Sequence, residues 1–327
     1  MKAASKLKNT IILSAMLAAV AVALTPALAS AQGIAPVVWA KSAFKFDTGA
    51  APAVAQSGIF QVEVHEDGSG GLMYRHGKLE EDGTVTWATS ALHYDNGYAP
   101  SIAITGSTVV EVHQADAGVG PLWYHIGKIN GAGEVVWAGS AFQYDSGLAP
   151  SVAAAGQTVV EVHQAGSGVG ELWYHTAEVQ TNGTVVWAGS SQYDNGAAPQ
   201  VAVAGSTVIE VHQAGTTAGP LYYHAAEIQA NATVVWSASA FSYDNGIAPS
   251  IAASGPTAIE VHQAGTGVGA LWYHQIALQS NGSVTVAGSN QYDTGEAPRV
   301  SASGPTILEV HQSASGVSSL YYHAAAY

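Results

Sequence analysis

The chain contains no cysteine, so no disulfide framework and no thiolate metal site can hold it together. Positive charge is scarce too, with nine Lys and Arg among 327 residues against 23 Asp and Glu. A surface this poor in cations excludes the phosphate-neutralising footprint of a nucleic-acid-binding protein, and it repels anionic lipid heads. After residue 31 there is no apolar run of membrane-spanning length and no helical periodicity. Gly-x-Ser-x-Gly, phosphate-binding glycine loops and His-Glu-x-x-His are all missing.

What the N-terminus does have is a leader. Lys2, Lys6 and Lys8 precede an apolar run from Ile11 to Leu24, and Ala29-Ser30-Ala31 offers a small-residue cleavage site. This is the pattern of a secretory signal peptide over residues 1–31, cleaved after Ala31, and too short for a spanning helix. The expected product is secreted, periplasmic or extracellular, with no membrane insertion. It keeps six basic residues against 23 acidic ones, a net charge of −17.

Residues 32–327 are a repeat. Glu-Val-His recurs at Glu63/His65, Glu111/His113, Glu161/His163, Glu210/His212, Glu260/His262 and Glu309/His311, at steps of 48, 50, 49, 50 and 49 residues. A fixed period of this size signals a solenoid, an array or a propeller. Each period holds four candidate strands, shown by Ala99–Ile104, Thr108–Gln114, Leu122–Ile129 and Val135–Ala138, rich in β-branched residues and separated by glycine turns. Asn182-Gly183 and Asn281-Gly282 are hairpin signals. The chain begins with a lone fourth strand, Pro36–Ala40, and ends after a third strand, Ser319–Ala325. Pairing the two would close a ring and remove the open edge. The expected fold is an all-β, six-bladed β-propeller with four-stranded blades, the N-terminal strand completing the last blade. Between blades, Tyr-Asp-Asn-Gly and its variants (Tyr94–Gly97, Tyr144–Gly147, Tyr193–Gly196, Tyr243–Gly246, Tyr292–Gly295) read as Asx-type turns, with the glycine at positive φ. Turn chemistry leaves the tyrosine unexplained.

Side chains alternate along a strand. Glu111 and His113 therefore share a face, as do Trp123 and His125 on the next strand. The equivalents are Glu161, His163, Trp173 and His175; then Glu210, His212, Tyr222 and His224; then Glu260, His262, Trp272 and His274; then Glu309, His311, Tyr321 and His323. The first copy breaks the set with Met73 and Arg75. Three roles are open for these residues. They can form a buried polar network between blades. They can bind sugars, since an aromatic face with carboxylate and imidazole groups suits a glycan and repetition suits multivalent binding. They can also form an acid–imidazole metal site, although no dedicated ligand spacing is present. No metal or cofactor is assigned. Blade symmetry argues against a single reaction centre, and only Arg75 and Arg299 are available to a sialidase-like arginine cluster, so no enzyme activity is expected.

The Val-Glu-Val-His-Gln, Leu-Trp-Tyr-His and Tyr-Asp-Asn-Gly segments over residues 36–327 resemble a repeat of secreted bacterial proteins. That repeat sometimes follows phosphatidylinositol-specific phospholipase C domains. No such domain is expected here, where only the leader precedes the first blade. The resemblance implies export and a propeller. A looser architectural likeness to propeller lectins implies one glycan site per blade or junction, without the arginine-rich pockets of fungal fucose lectins. The sequence thus points to a non-enzymatic, lectin-like propeller with glycans as multivalent partners. The alternative is a structural or protein-interaction scaffold whose Glu and His are struts. Oligomeric state is not legible.

Overall fold

A computed structural model describes residues 36–327 except 41 and 280–282. The leader and the Asn281-Gly282 turn lie outside the described residues. All 25 elements are β-strands, with no helix among the described residues, and every pairing is antiparallel.

The copy carrying Glu161, the third repeat, shows how the pattern becomes structure. The strand Phe142–Ala155 is 14 residues long. Its second half pairs with Thr158–Gln164 across a two-residue turn whose first residue is Gly156 at φ 60°, a conformation that favours glycine. Thr158–Gln164 pairs in turn with Gly170–Val179, placing Glu161 opposite His175 and His163 opposite Trp173. The shared face expected from alternation is therefore real. The outer position is filled by two segments. Val185–Trp187 covers one end of Gly170–Val179, and the first half of the next long strand, Ser191–Ala204, covers the other.

Two expectations change here. The fourth strand is three residues, not four, and occupies only part of the outer edge. Tyr-Asp-Asn-Gly is not a turn between units. It lies inside the long strand that leaves one sheet and enters the next, except in the second repeat, where Gly97 separates the strands Leu92–Asn96 and Tyr98–Thr105. Its glycine serves close approach rather than φ: a Cβ on Gly147 would stand 2.7 Å from the His163 ring and 2.7 Å from the Gln164 carbonyl.

Halfway along each long strand a bulge interrupts the register at an Ala-Pro step. Ala149 has φ 50° there, and the equivalent alanines lie between 46° and 52°. The Gln114 side chain of the preceding repeat accepts the Ala149 amide at 2.7 Å. The last repeat makes the same contact to the first, Gln312 accepting from Ala51 at 2.8 Å. In addition Val38–Trp39 pairs with Ala325 and Ala326, and Phe44–Gly49 pairs with Ser318–Tyr322.

The core lies between neighbouring sheets. Val110 and Val112 of the second repeat pack with Val152, Val159 and Val185 of the third. Burying each such valine fully is worth about 1.5–3 kcal/mol. Small residues on the innermost strands, such as Ala103 and Ala153, let those strands converge on a narrow cavity of about 110 Å³. The architecture is all-β, repetitive and propeller-like.

Candidate functional site

Each repeat places a chain of polar groups where two sheets meet. In the third repeat the chain starts from Tyr144, whose ring stacks on Trp187 at 4.7 Å and 13°. The Tyr144 hydroxyl donates to Glu161 Oε1 at 2.9 Å. Glu161 is wholly buried, and its Oε2 lies 3.1 Å from His163 Nδ1. The glutamate–histidine contact recurs in every repeat, at 3.0 Å in the second and fourth.

The histidine rings project from this buried row toward the neighbouring long strand. There a second bulge, between Gln143 and Asp145, breaks the alternation and delivers the Asp145 carboxylate. Asp145 Oδ1 accepts the Ser146 amide at 2.8 Å, leaving Oδ2 at 2.6 Å from His175 Nε2 and 3.8 Å from His163 Nε2. The other ring nitrogen of His175 lies 2.8 Å from the Ala188 carbonyl.

These contacts shift the ionisations. Burial opposes charging His163, but the facing Glu161 and Asp145 carboxylates outweigh it and raise the pKa above the ordinary histidine value. Burial likewise works against the Asp145 carboxylate. The His175 hydrogen bond and the Ser146 amide prevail and hold its pKa below the usual value. Burial, reinforced by Glu161, pushes the Tyr144 hydroxyl well above its usual range.

Above the row the junction opens into a pocket in the second and fourth repeats. In the second repeat it measures about 450 Å³ and is lined by Tyr94, Asp95, Asn96, His113, Trp123, His125 and the 139–141 turn. In the fourth it measures about 440 Å³, with Tyr193, Asp194, Asn195, His212, Tyr222 and His224. Trp123, Trp173, Tyr222, Trp272 and Tyr321 are all half-buried, so each ring keeps a solvent-facing part.

The predicted residues thus divide. His113, His125, His212 and His224, each only 2–3% exposed, stand with Trp123 and Tyr222 at the walls of the two pockets. In the third, fifth and sixth repeats His163, His262 and His311 are equally buried opposite the aromatic of the paired strand, and His175, His274 and His323 are buried opposite the glutamate. The five glutamates, Glu111, Glu161, Glu210, Glu260 and Glu309, are a correction. None is exposed, and none lines either pocket. They stand behind the histidines as hydrogen-bond partners. Sequence reasoning missed the carboxylates that do reach the pockets, the aspartates of Tyr-Asp-Asn-Gly. Their signal was the tyrosine that turn chemistry could not explain, which is the stacking partner of the outer-strand tryptophan.

The first repeat departs as expected. Arg75 replaces the second histidine, and its Nη1 lies 3.0 Å from Asp47 Oδ2. Its Nε and Nη2 donate to the Ala88 and Thr89 carbonyls at 2.7 and 3.0 Å. A guanidinium thus stands opposite Glu63, where the other repeats carry the second histidine.

No family model matches the chain, and no curated protein matches it. Solved structures share its fold. A protein of unknown function from Dyadobacter fermentans is similar with a TM-score of 0.57 at 10% identity, covering 90% of this chain and all of that one. Trypanosoma rangeli sialidase in complex with the inhibitor DANA is similar with a TM-score of 0.56 at 12% identity, covering 89% of this chain. This chain spans about 60% of the length of that sialidase. A subtype N10 neuraminidase-like protein of a little yellow-shouldered bat strain gives a TM-score of 0.51 at 9% identity, covering 88% of this chain and 98% of that one. At these identities the likeness concerns fold alone.

Proposed function

We propose that this chain is an exported, non-enzymatic, six-bladed β-propeller, closed as a ring, that binds neutral glycans at its blade junctions. One observation carries the glycan reading: a half-buried aromatic ring stands beside an aspartate and two imidazoles in a solvent-open pocket, and the second and fourth repeats both have it. The ring face suits the C–H side of a sugar, and the polar groups suit its hydroxyls. Weak single sites gain through avidity when several act together. Ring closure is supported by the pairing of Val38–Trp39 with the C-terminal strand and by the Gln312–Ala51 contact.

The likeness to sialidase supports a carbohydrate ligand by analogy of fold. An acidic sugar is disfavoured by charge, since the mature chain is strongly negative and Arg75 is tied to Asp47. The second reading, a protein scaffold, rests on the complete burial of the six glutamates, which act as struts. A glycan array probed with the intact protein separates the two. Retention of one or more neutral glycans supports binding. A blank array beside a working control lectin leaves the scaffold.

A further inference from the structure

We infer that the Asp145/His163/His175 and Asp244/His262/His274 clusters are binding sites for a late first-row divalent cation such as Zn²⁺. In each cluster one carboxylate oxygen and two imidazole nitrogens lie within 4.8 Å of one another. Two histidines and a carboxylate, with further positions open to water, make a ligand set suited to such ions. The inference stands on these side chains alone and holds whether or not a glycan occupies the pocket.

The surroundings of the three donors matter more than their number. A metal-binding histidine normally gives its other N–H to a carboxylate or a carbonyl, which fixes the tautomer and aims the free nitrogen. Both histidines have that arrangement. His163 Nδ1 faces the buried Glu161 at 3.1 Å, and His175 Nδ1 faces the Ala188 carbonyl at 2.8 Å. Asp145 Oδ1 accepts the Ser146 amide, so Oδ2, which faces both histidines, is the oxygen left to an ion. The fifth repeat reproduces every part. His262 faces Glu260 at 3.1 Å, His274 faces the Ala287 carbonyl at 2.6 Å, and Asp244 Oδ1 takes the Asn245 amide at 2.8 Å.

His175 Nε2 and Asp145 Oδ2 are 2.6 Å apart, closer than two ligands of one ion at bond lengths of about 2.0–2.2 Å. Loading therefore requires Asp145 to turn slightly, which its 29% exposed side chain allows. The first repeat is a built-in control. It keeps Glu63, His65 and Asp47, but Arg75 places a fixed positive charge against the aspartate where the ion would sit.

The test is calorimetric titration of chelator-stripped protein with ZnCl₂, and with CaCl₂ as a hard-cation control. The expected result is saturable micromolar uptake of at least two Zn²⁺ per chain and none of Ca²⁺. The isosteric double variant Asp145→Asn/Asp244→Asn is expected to take up two fewer, with an unchanged circular dichroism spectrum. Arg75→His is expected to add one. Co²⁺ loading of the unmodified protein gives a second readout, since visible d–d bands report histidine ligation without any substitution. No saturable Zn²⁺ uptake, or full uptake by a folded double variant, overturns the inference.

Discussion

Glu161 and His163 sit two residues apart on one strand, both out of solvent, with Oε2 and Nδ1 separated by 3.1 Å. The pair joins the stacked Tyr144–Trp187 layer to the side of Asp145. Removing one partner of a buried, hydrogen-bonded pair leaves the other uncompensated. Glu161→Ala is therefore expected to destabilise the fold by about 3 kcal/mol, read as a lower urea midpoint at unchanged slope. Glu161→Gln retains an acceptor and is expected to lose less.

The two tryptophans of the third repeat should behave oppositely. Trp187 stacks on Tyr144 at 4.7 Å, so Trp187→Ala is expected to lower stability by at least about 1 kcal/mol. Trp173 is half-buried opposite His163, away from that stack. Trp173→Ala should weaken ligand binding while moving the melting temperature far less. Thermal melts of the two variants side by side check this.

Stability should peak in mild acid. Folding raises the pKa of His65, His113, His163, His212, His262 and His311, because the adjacent carboxylates outweigh burial. A raised histidine stabilises the fold fully below its unfolded value of 6.5, and that contribution fades as pH rises through the raised value. Asp145 is lowered, so its contribution is present above 3.8 and fades as pH falls through the depressed value. Urea midpoints measured with chelator present should be highest between those two values and should fall toward pH 9.

Ring closure predicts a penalty for losing a very short strand. Val38 and Trp39 pair with Ala326 and Ala325, and the Trp39 ring stacks on Tyr292 at 4.5 Å. A mature chain starting at Phe44 should melt at lower temperature and associate through the uncovered edge of the C-terminal strand. Light scattering after mild heating measures this. A truncated chain as stable and monodisperse as the full one would count against closure.

Much of this was legible in the sequence because strands alternate. The Glu/His/Trp face and the exceptional first repeat follow from period-two spacing and from Arg75. Depth was not legible. Alternation assigns Glu161 to a face without saying whether that face meets solvent or another sheet. Bulges were not legible either, and they decide where the aspartates go. One extra residue between Gln143 and Asp145 brings the carboxylate to the histidines, and no periodicity count reveals it. The glycine after each aspartate looked like a turn residue. Its reason is the histidine ring 2.7 Å from where a Cβ would stand on Gly147.

The most direct test of junction binding is a glycan array probed with the unmodified protein and with one variant carrying Trp123→Ala, Trp173→Ala, Tyr222→Ala, Trp272→Ala and Tyr321→Ala. The prediction is retention of neutral glycans by the first and loss of that retention by the second, with both proteins folded. Equal retention by the two, or none by either, would contradict glycan binding at the blade junctions.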